Sequence, residues 1–245
     1  MLTGTAAYAA EGGFNDEVTL ISAAPAPHDN KYTKIQWGGD IQRENCGAPL
    51  AKGGSLLLPT GGEMLFLDET TGEQTASVEL PADCSTEYRG AVVGNKVVQP
   101  TENGVAVIDA DSMQVVGSRS FDGSIASDCA VSDGLAYFSV SAGDGFEFLC
   151  VDLGSDGLDT VWSVNIDEQP TTPALQGDTV LWGCGDTLYT HGRREDTSHE
   201  IPLGKNISGA PFTTEYAVFF STEDGNAGKL RLNPDGSLEE DTLTW

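Results

Sequence analysis

Internal repetition constrains this chain more than any other feature, because a fixed period decides the architecture before any local preference does. Gly47-Ala48-Pro49, Gly90-Ala91-Val92, Cys129-Ala130-Val131, Thr172-Pro173-Ala174 and Gly209-Ala210-Pro211 share one layout at spacings of 43, 39, 43 and 37 residues. A matching triplet closes 19 to 24 residues after each start: Phe66-Leu67-Asp68, Val107-Ile108-Asp109, Cys150-Val151-Asp152, Tyr189-Thr190-His191 and Arg231-Leu232-Asn233. Between them, outward polar and inward apolar groups alternate as strands require and helices do not. A partial copy stands in front. Thr5-Ala6-Ala7-Tyr8 through Val18-Thr19-Leu20-Ile21 repeats the layout of Gly134-Leu135-Ala136-Tyr137 through Phe148-Leu149-Cys150-Val151, which places Met1 to Thr3 in a shortened first strand.

Turn residues divide each copy into four strands. Gly53-Gly54, Gly94-Asn95, Asp133-Gly134 and Gly177-Asp178 fall between first and second strands, where tight hairpins need positive φ angles. Gly61-Gly62, Asn103-Gly104, Asp144-Gly145 and Asp224-Gly225 fall between second and third, and Thr70-Thr71-Gly72 and Pro234-Asp235-Gly236 between third and fourth. Four antiparallel strands per period of about 40 residues make a propeller blade. The expected fold is an all-β propeller, a single domain over 1–245, with six blades at approximately 1–38, 46–81, 90–122, 129–167, 172–204 and 209–245. Trp37, Trp162 and Trp245 stand 125 and 83 residues apart, three and two periods, and so are expected at one position late in the fourth strand, buried between blades.

The combined pattern resembles the PQQ-like (quinoprotein-type) repeat, also seen in the BamB-type outer-membrane assembly propellers. The residues that carry the likeness are a small-Pro-apolar opening, an apolar pair, Asp-x-x-Thr-Gly and a Trp ending the outer strand. Leu65-Phe66-Leu67-Asp68-Glu69-Thr70-Thr71-Gly72 matches best. Thr-Gly after the Asp is kept only at Thr71-Gly72, the copies ending near Leu80 and Phe121 have no outer Trp, and His191-Gly192-Arg193-Arg194 replaces the motif in the fifth copy. The resemblance implies that the repeat's Trp and Gly are structural. It also implies rings of seven or eight blades, so the expectation is that this chain is an arc of a larger propeller.

Dehydrogenases of that family hold a quinone against two adjacent cysteines with a calcium ion and a catalytic Asp. Cys46, Cys84, Cys129, Cys150 and Cys184 include no adjacent pair and no CxxC. No cofactor is therefore expected, and at most two disulfides fit within the chain, with two, one and none all open. Other chemistry finds no foothold either. His28 lies in the turn Pro25-Ala26-Pro27-His28-Asp29-Asn30, and His191 and His199 flank another, which reads as three surface-loop histidines rather than metal ligands. The acidic turns Asp152 to Asp159 and Asn233 to Asp241 lack a calcium-loop pattern and read as solvated turns. Arg193-Arg194 is the one adjacent basic pair. It reads as neutralising Glu195 and Asp196, with a carboxylate-binding spot as the functional alternative. Asn206-Ile207-Ser208 matches a glycosylation acceptor too short to carry weight. No residue is assigned a catalytic, cofactor-binding or metal-binding role.

A net charge of −26, from 38 acidic and 12 basic side chains, repels phosphate backbones, so nucleic acid is excluded as a partner. No run of 18 apolar residues occurs and Met1 to Ala10 lacks the design of a signal peptide, so membrane insertion of this segment is not expected. The functional expectation is a non-catalytic binding or scaffolding module that recognises a protein or glycan in an extracellular, cell-surface or periplasmic setting. The alternative is an enzyme, a hydrolase or lyase, whose carboxylates converge in the propeller channel. Because the vicinal cysteines are missing, the purified chain is expected to bind no quinone and to show no dye-linked alcohol or sugar oxidation with added calcium. Saturable quinone binding in an absorbance titration would contradict this.

Overall fold

The computed structural model describes residues 46–194, 197–233 and 237–245. The expected copy at 1–38, with His28 and Trp37, lies outside the described residues, as do Glu195, Asp196 and Pro234-Asp235-Gly236. The described chain forms twenty strands in five antiparallel sheets of four, with no helix. Sheet one holds β1 (Leu50–Lys52), β2 (Ser55–Thr60), β3 (Glu63–Asp68) and β4 (Gln74–Glu79). Sheet two holds β5 (Ala91–Val93), β6 (Lys96–Thr101), β7 (Gly104–Asp109) and β8 (Gln114–Ser120). β9 (Ala130–Ser132), β10 (Leu135–Ala142), β11 (Gly145–Asp152) and β12 (Thr160–Ile166) make sheet three. β13 (Ala174–Gln176), β14 (Thr179–Cys184), β15 (Thr187–Gly192) and β16 (Ser198–Pro202) make sheet four, and β17 (Phe212–Thr214), β18 (Ala217–Ser221), β19 (Ala227–Leu232) and β20 (Leu238–Thr244) make sheet five.

Strand order follows chain order in every sheet, because the connecting turns are too short for any other pairing. Asp133 and Gly134 show how the sequence sets this. Both have positive φ, 49° and 77°, the combination whose twist matches the strands it joins. Two turns fall one residue earlier than expected: Gly104 and Gly145 begin β7 and β11, leaving Glu102-Asn103 and Gly143-Asp144 as turn residues. At Gly104 a Cβ would lie 2.1 Å from the Arg119 carbonyl oxygen, so glycine is needed for strand approach rather than for the turn.

The Asp that ends each triplet has a local task. Asp68 Oδ1 accepts from the N–H groups of Thr70 at 2.9 Å and Thr71 at 2.7 Å, and Asp109 Oδ1 from Asp111 at 3.1 Å and Ser112 at 2.7 Å. Asp152 Oδ1 accepts from Gly154 at 2.7 Å. These bonds fold the chain from third to fourth strand, and a bulge sits just before each, at Phe66/Leu67, Val107/Ile108 and Cys150/Val151.

Consecutive sheets pack face to face. Leu57, Met64 and Phe66 of sheet one meet Val97, Ala106 and Ile108 of sheet two. Val98, Val105 and Val107 of sheet two meet Phe138, Leu149 and Val151 of sheet three. Tyr137, Phe148 and Trp162 meet Val180 and Trp182, and Leu181 and Leu188 meet Val218, Phe220 and Leu230. First strands of successive sheets lie beside one another, β1 by β5, β5 by β9 and β13 by β17, as in a propeller. Inner strands of the first four sheets are thus largely buried on both faces, and the expected polar–apolar alternation appears in outer strands such as β8, Gln114-Val115-Val116-Gly117-Ser118-Arg119-Ser120, and in β19 of sheet five. Sheet five turns its far face outward, where Phe212, Tyr216 and Phe219 are exposed.

Equal tryptophan spacing conceals unequal positions. Trp162 is the third residue of β12, opposite Cys150, and is 8% exposed; Trp245 follows the end of β20 and is 49% exposed. By register the counterparts of Trp162 are Ala76, opposite Phe66, and Gly117, opposite Val107. Turns of different length and a register shift between Lys229 and Arg231 move the last copy out of phase. Trp162→Ala is expected to cost about 3 to 5 kcal/mol in denaturant melts, the range for emptying a buried aromatic site. Trp245→Ala should cost less than about 1 kcal/mol, and equal losses would restore the equivalence of the two.

Candidate functional site

The triplet's Asp is missing from two described copies, Tyr189-Thr190-His191 and Arg231-Leu232-Asn233, and at the first, which continues as Gly192-Arg193-Arg194, a polar recess of about 500 Å³ opens. Its walls come from three sheets. Thr179, Thr190 and His191 belong to sheet four, Asp133 to the first turn of sheet three, and Ser237 to the approach to β20 in sheet five.

His191 is the last residue but one of β15, and by register Gly192 stands where Asp68, Asp109 and Asp152 accept turn hydrogen bonds in the first three sheets. The His191 ring lies on the Trp162 indole, with centroids 3.8 Å apart and planes 23° apart, and Nδ1 donates to the Gly192 carbonyl at 2.7 Å. The residue is only 2% exposed, which corrects the expectation of a surface-loop histidine. A flat aromatic neighbour on the preceding sheet is the physical reason. His199, on β16, is exposed as expected. Aromatics of the third and fourth sheets extend the stack, Phe148 lying 4.0 Å from Trp182 and nearly parallel to it, with Trp182 in turn 5.4 Å from Tyr189.

Arg193 bridges sheets three and four. Nη2 pairs with Asp133 Oδ2 at 2.9 Å, Nη1 donates to the Gly177 carbonyl at 2.8 Å and Nε to the Tyr137 hydroxyl at 3.2 Å. Its own carbonyl accepts from Trp162 Nε1 at 3.1 Å. Burial works against the guanidinium charge, but the Tyr137 hydroxyl and Asp133 outweigh it and hold the arginine protonated. Burial likewise drives the Tyr137 hydroxyl far above its ordinary range. Among the described residues the ion-pair partner of Arg193 is Asp133 on the neighbouring sheet, and the role of Arg193 is that of a strut. Arg194 is exposed, donates to the Asp133 carbonyl at 2.8 Å and lines the recess with Thr197 and His199.

Of the remaining sequence candidates, the turn Asn233 to Asp241 reaches this recess through Ser237, and Asp152 and Asn206 lie outside it. Asp152 is occupied by the Gly154 N–H, and Asn206 Nδ2 donates to Glu223 Oε2 at 3.2 Å. Asp68, Asp109 and Asp224 titrate below the ordinary carboxylate value of 3.8: backbone N–H groups of Thr71 and Ser112 act on the first two, and Lys205 on the third. All three shifts favour the charged form, the opposite of what a general acid needs. The loops ahead of the first strands tie sheets together on the other side: Asp128 accepts from the Arg89 N–H at 2.7 Å and from the Thr172 hydroxyl at 3.3 Å, and Gln169 Nε2 donates to the Tyr88 hydroxyl at 2.8 Å.

No protein-family model and no curated protein sequence matches the chain. Solved structures do. The computationally designed Ika8 protein superposes with a TM-score of 0.63 at 15% identity, over 79% of this chain and 60% of that one. BamB from Moraxella catarrhalis gives 0.57 at 12% identity, over 80% of this chain and 61% of that one. The quinohemoprotein alcohol dehydrogenase ADHIIG from Pseudomonas putida HK5 gives 0.58 at 11% identity, over 78% and 40%. At such identities the likeness shows a propeller-type all-β fold. The chain spans about 60% of the length of the first two and 40% of the third.

Removing the strut separates its parts. Arg193→Ala leaves the Tyr137 hydroxyl and the Gly177 carbonyl without their donor and is expected to destabilise by about 2 to 4 kcal/mol. Asp133→Asn touches only an exposed partner and should cost about 1 kcal/mol or less. Equal losses in urea melts would show that the ion pair, not the buried hydrogen bonds, holds the two sheets.

Proposed function

We propose that this chain is a binding module of the PQQ-like repeat type that recognises a protein or glycan through the recess on sheet four. The observation that carries the reading is the coincidence of two departures. The Asp turn is replaced at His191-Gly192-Arg193-Arg194, and the recess of about 500 Å³ lies at that replacement. Loops that leave a repeated scaffold's own rule are where recognition is placed on such folds. Inside, Arg193 is consumed by structure, and the rim presents Arg194, His199 and Thr197 as hydrogen-bond groups. Such a rim suits carboxylate and hydroxyl groups, the polar features of acidic peptides and of glycans.

In this reading residues 1–245 form one propeller domain, the copy at 1–38 included, working outside a cell, at its surface or in a periplasm. A net charge of −26 keeps nucleic acid away, and the segment does not insert into a bilayer. Among the described residues no helix is long and apolar enough to cross a membrane.

The test is a screen of the full chain against glycan and peptide arrays, followed by titration of the best binder against Arg194→Ala and His199→Ala. Each substitution is expected to weaken binding by roughly 10- to 100-fold, the worth of one charge-assisted hydrogen bond, while melting is unchanged because both side chains are exposed. Undiminished binding by both variants would move the site elsewhere.

A further inference from the structure

The fold sorts the five cysteines by environment. Cys129, Cys150 and Cys184 lie in the sheet-to-sheet cores, where the Cys150 thiol faces the Arg193 carbonyl and the Cys184 thiol the Glu168 carbonyl at 3.2 Å. Cys84 also lies in a core, between sheets one and two, but it shares a second feature with Cys46. Each precedes the first strand of its sheet and makes the same isolated bridge to the end of the second strand, Cys46 to Thr60 and Cys84 to Thr101. They are counterparts one repeat apart.

Successive sheets overlap at this point. The Cys84 N–H donates at 2.7 Å to the carbonyl of Gly61, the residue after the bridge partner of Cys46. Next to Cys46, a Cβ on Gly47 would lie 2.9 Å from the carbonyl oxygen of Ser85, the residue after Cys84, and 2.9 Å from Pro59 Cγ. Only glycine permits that approach, and it lays Cys46-Gly47 alongside Cys84-Ser85. A disulfide needs Cα atoms within about 7 Å, the spacing that backbones in van der Waals contact provide. Cys46 is exposed and Cys84 is 3% exposed. Burial pushes the Cys84 thiol up, the Gly47 N–H opposes this, and Asp83 and the Cys46 thiol add to it, so the two sulfurs lie within electrostatic reach.

We propose that Cys46 and Cys84 are a disulfide-forming pair, a covalent staple between the entry to sheet one and the entry to sheet two. The sulfurs are not bonded to one another in this structure. The exposed Cys46 thiolate attacks a low-molecular-weight disulfide, breaking its S–S bond, expelling one thiolate and forming a mixed disulfide on Cys46. The Cys84 thiolate then attacks the Cys46 sulfur and expels the second small thiolate. Two protein thiols lose two protons and two electrons, and the small disulfide is reduced to two thiols. Because the Cys84 thiol is held up by burial, the second step is the slower one and gains from alkaline pH.

The experiment is incubation of the full chain with oxidised glutathione at mildly alkaline pH, then acid quench, alkylation in denaturant and peptide mapping. The expected product is a monomer lighter by two hydrogen atoms, with Cys46 and Cys84 peptides joined and the other three cysteines alkylated. It should melt roughly 5 to 15 °C above the dithiothreitol-reduced form. Cys84→Ser is expected to stop at a lasting Cys46–glutathione adduct, and Cys46→Ser to take up no glutathione. Wild-type protein that halts at the adduct, links two chains through Cys46, or joins Cys46 to Cys129, Cys150 or Cys184 would overturn the proposal without reference to either variant.

Discussion

Burial on both faces is the constraint from which the rest of this structure follows. A lone four-stranded sheet would leave one apolar face in water; here Leu57 and Phe66 are covered by the next sheet, and Val98 and Val107 by the one after. At about 25 cal/mol per Å² of apolar surface, a sheet stripped of its neighbours would lose most of the free energy that orders it. Inner strands therefore read as continuous apolar runs, Leu56-Leu57-Leu58 and Val105-Ala106-Val107-Ile108, while polarity retreats to the outer strands and turns. The same demand explains the large aromatics between sheets three and four, where Phe148, Trp162 and Trp182 fill one shared layer.

Against that background the repeated Asp is a local device and its loss a structural event. At Asp68, Asp109 and Asp152 a carboxylate folds its own turn, and in sheet three Lys96 and Arg119 of sheet two also donate to the Leu153 and Leu158 carbonyls of that turn. At Gly192, the counterpart of those residues, there is no carboxylate to do this. The His191 imidazole goes to Trp162 and the next side chains reach to Asp133, Gly177 and Tyr137, so the turn of sheet four is held from sheet three. Magnitudes favour the neutral contacts in this arrangement. Asp133 is mostly in water, where an ion pair contributes little, whereas the buried hydroxyl and carbonyl lose a donor outright if Arg193 goes.

What was legible in the sequence was what short-range chemistry decides. Gly53-Gly54 and Asp133-Gly134 fixed hairpins because positive φ is a property of those residues, and the Phe66-Leu67-Asp68 type of triplet marked the third strand because its Asp bonds two or three residues ahead. The tryptophan comparison failed for the converse reason: counting residues is not counting register, and bulges and turns of unequal length shift one without the other. The burial of His191 could not be read locally either, since Trp162 lies on another sheet, and the Arg193 partner Asp133 is sixty residues away. One signal did point to the site. The break in the Asp motif at His191 to Arg194 was visible as sequence, although its geometry was not.

The Trp162 indole donating to the Arg193 carbonyl has a thermodynamic side. A loop carrying rim groups normally loses backbone freedom when it closes on a ligand, and that loss subtracts from affinity. Here the backbone at residue 193 is already tied by an indole that is itself clamped between two sheets, and Asp133 holds the neighbouring guanidinium from the other side. If the recess binds as proposed, the tie at residue 193 removes one source of ordering cost from that association.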